Sequence, residues 1–390
     1  MRVLFFNYEY PPLGGGAGNA TAYILREFSK IPKLKVDLIT SSIDEKYHLE
    51  KIGDNIKIHR LPIGKNKEKM HFQSQKEMLV YTWRAYFFAQ KLLRKKKYDL
   101  THSFFSVPCG TISWLLWRVK KIPYIISLRG SDVPGYSERF KFIYKIITPI
   151  IVQIWKNAEA VVANSAQFKE LAKKSNPKQA IKIITNGIDT EEFSAKKIGD
   201  KRDGEFKVIC GSRLTPRKGI SYIIEAIDLL KRKNLKVILE IIGEGNAEKD
   251  LKELVRSKGL TKEVIFLGRI EHRLLPKYYQ NADVYVSASF NEGMSNTMLE
   301  ALACGLPIIA TETGGTEEMV KVGRNGFVIK MKSAEEIANK IKILQEDFEL
   351  WKKMSENSRH LAEKMSWENI AKQYFKLYKE VANKNKSDAK

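Results

Sequence analysis

VYVSASFNEGMSNTMLEALACGLPIIA occupies residues 284–310. Val284–Ser287 and Ile308–Ala310 are short apolar runs bounded by turn residues, and Met298, Leu299, Leu302 and Ala303 between them repeat at helical spacing. Strand, loop, helix and strand in that order form the unit of a parallel sheet. Ser295 or Asn296 can cap the helix through a side-chain oxygen, which leaves Glu292 before the helix and Glu300 inside it. Amides from Gly293 through Met294, Ser295 and Asn296 to Thr297 then lack helical partners at the positive end of the dipole, an arrangement suited to a phosphate. A carboxylate on each side of an anion site fits a sugar nucleotide, whose ribose and sugar both present hydroxyls. For an arbitrary helix, two solvated glutamates beside a cap are the simpler reading, so the surrounding chain has to supply the reason for more.

The chain has 390 residues and 43% hydrophobic content, enough for two domains with their own cores. Cys109, Cys210 and Cys304 are too few and too far apart for a disulfide framework and fit reduced thiols in a cytoplasmic protein. The N-terminus opens on the strand-like RVLFFN and lacks a signal-peptide pattern. Of the formal charge of +23, +17 lies in residues 1–199, which hold 34 Lys and Arg against 17 Asp and Glu. Such an imbalance favours an anionic partner, with a lysine-rich background composition as the plainer explanation.

Upstream, RVLFFN leads through YEYPPLGGGAGN into helical spacing from Thr21 to Phe28. The glycine loop containing Gly15 and Gly16 can cradle a diphosphate or simply make a turn that needs glycine. Strand-like runs follow at Val36–Thr40, Ile56–Leu61, Leu100–Phe104, Tyr124–Leu128, Ala160–Ala163 and Ile181–Ile184, separated by helical patterns. After a polar stretch from Asn186 to Glu205 a second series begins, with runs at Phe206–Cys210, Val237–Ile242, Val264–Leu267, Val284–Ser287, Ile308–Ala310 and Phe327–Ile329. Each half reads as a doubly wound α/β unit, and open parallel sheets bind ligands at their carboxyl ends. The expected division is 1–195, a linker at 196–204, and 205–365. The amphipathic helix from Ser366, with 370–390, completes the first domain.

Two helical segments, Glu77–Lys97 and Arg139–Lys156, mix aromatic and basic residues around apolar centres too short to span a bilayer. They are either interfacial helices or ordinary core-facing helices with a basic outer face. Together with the charge asymmetry they lead to an expected contact with an anionic membrane surface.

Directly after the first strand of the second half, CGSRLTPRKGI places Arg213 and Lys218 where both can meet one diphosphate. The six histidines and the carboxylates show no metal-ligand spacing, so the expectation is no cofactor and no metal, with cations and helix amides stabilising a leaving diphosphate.

GGGAG after the first strand, ITNGID, SRLTPRKG, IIGEG, FLGRI, ADVYVSAS, NEGMSNTMLEALACGLPIIAT and the closing SWENIAKQYFKLY, in this order, resemble the family-4 retaining glycosyltransferases. The resemblance runs along essentially the whole chain. It implies the GT-B fold: two Rossmann-like domains facing each other across a cleft, with the C-terminal helix crossing back to the first. It further implies Glu292 on the donor sugar, Glu300 on the ribose, and Arg213 and Lys218 on the diphosphate. Gly293, Met294, Ser295, Asn296, Gly15 and Gly16 would assist, and Gly268 and Arg269 would meet the base. The donor would be a UDP- or GDP-sugar and the acceptor a glycan, a lipid-linked glycan or a small molecule. One departure stands in SLRGSDVPG: Arg129 occupies the place where many relatives have histidine. Arginine is no base at neutral pH, so Arg129 would bind phosphate, sugar or acceptor oxygens, while Asp132 either contacts the acceptor or partners Arg129. Within the same architecture the alternative is a sugar-nucleotide epimerase; outside it, a basic membrane or nucleic-acid-binding protein. The sequence carries no nucleic-acid recognition motif, so no nucleic-acid partner is expected.

Overall fold

A computed structural model describes residues 1–65, 70, 73–137, 141–195 and 204–387. The expected linker, apart from residue 204, lies outside the described residues, as do Arg139 at the start of the second aromatic-basic segment and 388–390 at the C-terminus. The chain divides into one unit of Met1–Asn186 with Trp367–Lys390 and another of Gly187–Ser366. The first crossing therefore falls between Asn186 and Gly187, at the start of the polar stretch that composition marks and ahead of the linker expected at 196–204. Phe193 is buried in the core of the second unit, and Arg359 donates to the Phe193 and Thr190 carbonyls at 2.8 and 3.1 Å. Polar composition in this stretch reflects exposure, whereas a few buried contacts decide which unit it joins.

The first unit is an eight-stranded sheet, made of β1 (Arg2–Phe6), β2 (Lys35–Ser41), β3 (His48–Ile52), β4 (Ile56–Leu61), β5 (Leu100–Phe104), β6 (Tyr124–Ser127), β7 (Ala160–Ala163) and β8 (Ile181–Ile183). Their order is β3-β4-β2-β1-β5-β6-β7-β8, parallel except where β3 pairs antiparallel with β4. Apolar runs reveal every strand but β3. Its sequence, HLEKI, is polar because it lies at the sheet edge, held by its backbone to β4. Around this sheet are α1 (Gly16–Ser29), α2 (Gln75–Leu93), α3 (Thr111–Lys120), α4 (Lys141–Lys156) and α5 (Ala166–Lys173). Ser74 and Glu77 form a capping box at the start of α2, the S-x-x-E signature of a helix N-terminus.

The second unit has six parallel strands: β9 (Phe206–Gly211), β10 (Val237–Ile242), β11 (Val264–Gly268), β12 (Val284–Ser287), β13 (Ile308–Thr311) and β14 (Gly326–Ile329). Its helices are α6 (Ile220–Arg232), α7 (Glu248–Ser257), α8 (Leu275–Asn281), α9 (Asn296–Ala303), α10 (Thr316–Met319), α11 (Ala334–Glu346) and α12 (Phe348–Lys364). The strand order is β11-β10-β9-β12-β13-β14. From the central pair, β9 and β12, the chain leaves in opposite directions, toward β10 on one side and β13 on the other. That reversal opens a crevice above their carboxyl ends, where doubly wound sheets hold ligands.

The last helix, α13 (Trp367–Ser387), belongs to the first unit. Trp367 stacks on Tyr23 of α1 at 5.3 Å with rings 5° apart, and Ile370, Tyr374 and Leu377 are buried along the same stripe. The 3.6-residue period of that stripe is what makes it a helix with one buried face.

Candidate active site

Above the β9–β12 crevice two loops are pressed together. Lys218 ends a short 3-10 turn (Pro216–Lys218) after β9, and Gly219 follows with φ of 63°. A Cβ on Gly219 would lie 2.2 Å from the Ala288 carbonyl oxygen at the end of β12, so only glycine permits this approach. The Phe290 amide donates to the Arg217 carbonyl at 2.9 Å and fastens the two loops. Lys218 Nζ thereby reaches the Glu292 carboxylate and forms an ion pair with it, and Ser289 Oγ donates to the same Oε1 at 2.9 Å. Both side chains of the pair are 14% exposed, far from the solvated state that a lone loop glutamate would have. From below, the turn after β13 braces Glu292: a Cβ on Gly314 would stand 2.3 Å from the Glu292 carbonyl oxygen. Beside the pair lies a small recess whose lining includes Gly211, Lys218, Ser289, Glu292, Ser295 and Thr297.

Ser295 is the N-cap of α9, its Oγ accepting from the Met298 amide at 3.3 Å, and Asn296 is the first helical residue. The expected stripe of Met298, Leu299, Leu302 and Ala303 is buried, but so are Glu300 and Ala301, so most of the helix is enclosed. Ser295 and Thr297, at the start of α9 and the positive end of its dipole, line the recess. Arg213 is exposed on the loop after β9 and has no ion-pair partner among the described residues, whereas Lys218 is paired with Glu292. At the end of β11, Gly268 accepts from the Gly243 amide at 2.8 Å and Arg269 is exposed.

Glu300 is held by residues that sequence reasoning missed. Its Oε2 accepts from Tyr279 Oη of α8 at 3.1 Å, and its Oε1 lies 3.4 Å from His272 Nε2 in the loop after β11. His272 Nδ1 is 3.1 Å from Glu192 Oε1. No local pattern announces this cluster, which is drawn from four separate segments; its one sequence signal is that His272 follows a strand on the carboxyl side of the sheet. The hydrogen bond to Glu300 raises the His272 pKa, and burial opposes it. The stabilising contribution of the protonated ring is therefore complete below the ordinary histidine pKa of about 6.5 and is lost as pH climbs through the raised value. Titrated by NMR, the ring is expected to show a midpoint above the ordinary range, falling back in Glu300→Gln. A midpoint unmoved by that substitution would remove Glu300 as the cause.

In the first unit Gly15 precedes α1 as its N-cap and Gly16 opens it, but the anion at this helix start is the chain's own. Glu9 Oε2 accepts from the Gly15 amide at 3.3 Å, and burial raises the Glu9 pKa against the pull of the Gly15 and Gly18 amides. Arg129 sits over the Phe104 ring at 3.7 Å and donates to Asn186 Oδ1 at 2.8 Å and Tyr374 Oη at 3.0 Å. Asp132 accepts from the Ser106 amide at 2.7 Å and Oγ at 3.0 Å, the Arg129 amide at 3.0 Å and the Gly130 amide at 2.9 Å. Asp132 thus partners the backbone of Arg129, not its guanidinium, and its oxygens are used up in closing the loop.

Among the described residues, no three His, Cys, Asp or Glu side chains are grouped so as to hold a metal ion, and no helix is long and apolar enough to cross a membrane. All three cysteines are free and buried.

The family described as Glycosyltransferase Family 4 matches residues 14–192, and Glycosyl transferases group 1 matches residues 191–361. An uncharacterized glycosyltransferase of Methanocaldococcus jannaschii is 25% identical over 98% of this chain and 99% of its own. The D-inositol 3-phosphate glycosyltransferase of Corynebacterium urealyticum is 25% identical over 98% of this chain and 96% of its own. Among solved structures, sucrose-phosphate synthase from Thermosynechococcus elongatus superposes with a TM-score of 0.79 at 20% identity, covering 98% of this chain and 99% of that one. Anabaena HepE in complex with UDP gives 0.73 at 18% identity, covering 97% and 100%. With the two families together matching residues 14–361, this chain belongs to the family-4, group 1 glycosyltransferases and has their GT-B fold.

Proposed function

We propose that the protein is a retaining glycosyltransferase that moves a hexosyl unit from a UDP- or GDP-sugar to a glycan, lipid-linked or small-molecule acceptor. The observation that carries this reading is the Lys218–Glu292 ion pair above the β9–β12 crevice, beside the recess at the start of α9. A nucleoside diphosphate entering there meets Lys218, Arg213 and the amides from Gly293 to Asn296, with Met294 packed at the same turn. Glu292, exchanging its lysine for ligand, takes the sugar hydroxyls; Glu300, oriented by Tyr279 and His272, takes the ribose; Gly268 and Arg269 border the base. HepE, a structural neighbour, is known in complexes with UDP and UDP-glucose, which supports a nucleotide-sugar donor.

In the proposed reaction the bond between the anomeric carbon and the diphosphate oxygen breaks, and the acceptor oxygen bonds to that carbon on the same face. The acceptor proton passes to the departing phosphate oxygen, so no second carboxylate is needed as nucleophile, unlike in retaining glycosidases. Lys218, Arg213 and the α9 amides meet the charge that develops on the leaving group, and the reaction needs no metal. For Arg129 and Asp132 the geometry supports a positioning role, holding the loop after β6 to α13 and Ser106. Gly15 and Gly16 would assist at the donor diphosphate once Glu9 gives up the Gly15 amide. We place the protein in the cytoplasm at the inner membrane face, in polysaccharide or glycolipid synthesis.

Screening UDP- and GDP-sugars for protection against thermal unfolding identifies the donor, because a ligand of the folded state raises its stability. Turnover with that donor is expected to persist in EDTA and to give a product whose anomeric configuration, read by NMR, equals that of the donor. Inversion, or abolition by EDTA that added metal restores, overturns the corresponding part of the mechanism. Epimerisation at C2 of the donor without acceptor would establish the epimerase alternative.

A further inference from the structure

We propose that the outer face of the α2–α3–α4 layer is a docking surface for an anionic lipid bilayer. The inference deepens the placement at the membrane but rests on residues outside the donor site. The helices α2, α3 and α4 join β4 to β5, β5 to β6 and β6 to β7, all advancing across the sheet in one direction. Right-handed crossovers put all three on the same side of it. Accordingly α2 and α4 both pack on the segment 106–110 that leads into α3.

Their inner faces are ordinary core. Tyr81, Ala85 and Ala89 of α2, and Ile151, Ile154 and Trp155 of α4, are buried. Their outer faces are not the polar surface that an amphipathic helix of a soluble domain presents. On α2, Leu79, Trp83 and Phe87 are 71%, 69% and 50% exposed, and on α4, Phe142, Ile146 and Ile150 are 80%, 77% and 46% exposed. Each trio is spaced i, i+4, i+8 and so forms one stripe along its helix, and exposed Val119 lies on α3 between them. Apolar exposure of this extent calls for a partner.

Charge says which partner. The helix α2 carries three basic residues, α3 two and α4 three, every one exposed. The acidic residue among these helices is Glu77, buried in the α2 capping box with Lys65 3.5 Å away. A second copy docked through this face would set cation against cation with no carboxylate to answer, since a two-fold interface is made of the same patch twice. A nucleic acid would satisfy the lysines but leave Leu79, Ile146 and Ile150 without purpose. An anionic bilayer satisfies both: phosphates answer Arg84, Lys141 and Lys145, and the apolar stripes enter the boundary between headgroup and acyl chain.

Sedimentation of the full chain with phosphatidylcholine vesicles, with and without phosphatidylglycerol, tests the proposal. Wild-type protein should co-sediment with the anionic vesicles, stay in solution with the neutral ones, and be released as salt rises. Trp83→Glu and the double variant Phe142→Glu/Ile146→Glu should each lose binding by about tenfold. Because these sites are exposed, both variants should unfold at the wild-type temperature and keep donor protection, so loss of lipid binding alone reads on this surface and loss of donor binding on the transferase reading. Equal recovery of wild type with both vesicle types overturns the proposal, as does unchanged binding by the variants. Light scattering that shows a dimer dissolved by the same substitutions would assign the face to a second copy and overturn it too.

Discussion

Glu292→Gln is expected to lower kcat by about a hundred- to a thousandfold while shifting the donor KM by less than about threefold. Glutamine keeps an oxygen that can accept from Ser289 and from Lys218, so the loop after β12 retains its two local contacts. What vanishes is the negative charge beside the position of the sugar. In the proposed transition state that sugar carries positive character, and an interaction strengthened only there appears in kcat. Glu300→Gln should do the opposite, raising the donor KM by about tenfold with kcat nearly unchanged, because ribose contacts are the same in ground and transition states. Steady-state kinetics on the two variants checks both. Identical behaviour would mean that the two carboxylates do not divide the donor as proposed.

The two glutamates also mark how far the sequence could be read. Glu292 before a helix and Glu300 within it followed from the Ser295 cap and the stripe from Met298 to Ala303, all local signals. Strands of both sheets were legible for the related reason that buried parallel strands are nearly continuous apolar runs. Failures share a cause as well. The polar β3 is a strand because β4 offers its edge, and the boundary at Asn186 depends on Phe193 and Arg359, which are 166 positions apart. Tyr279 and His272 reach Glu300 through tertiary packing, and Glu9 answers the α1 amides only because Gly14 and Gly15 turn back over it. Pairing Arg213 with Lys218 on one diphosphate was reasonable from spacing. Spacing, however, could not reveal that Gly219 lets the Lys218 loop descend onto β12, nor therefore that Lys218 would meet Glu292 first.

That meeting leads to the sharpest expectation. Lys218→Met should abolish most of the thermal protection given by UDP or GDP, weakening the nucleotide by about ten- to a hundredfold, as loss of a hydrogen bond to a charged group does. Without nucleotide, each single substitution, Lys218→Met or Glu292→Gln, removes one charge of a pair that is mostly out of water, leaves the other uncompensated and should cost about 1–2 kcal/mol of stability. Their double variant should fall short of the sum, and the shortfall is the coupling between the two side chains. If Lys218 leaves Glu292 for the diphosphate when donor enters, saturating nucleoside diphosphate must shrink that coupling, because the bound state no longer contains the interaction. Denaturant unfolding of the four proteins with and without nucleotide measures it directly. A coupling that survives saturation would mean that Lys218 stays on Glu292 throughout; Arg213 and the α9 amides alone would then hold the diphosphate, and Glu292 would face the sugar as a neutralised partner with no charge to lend.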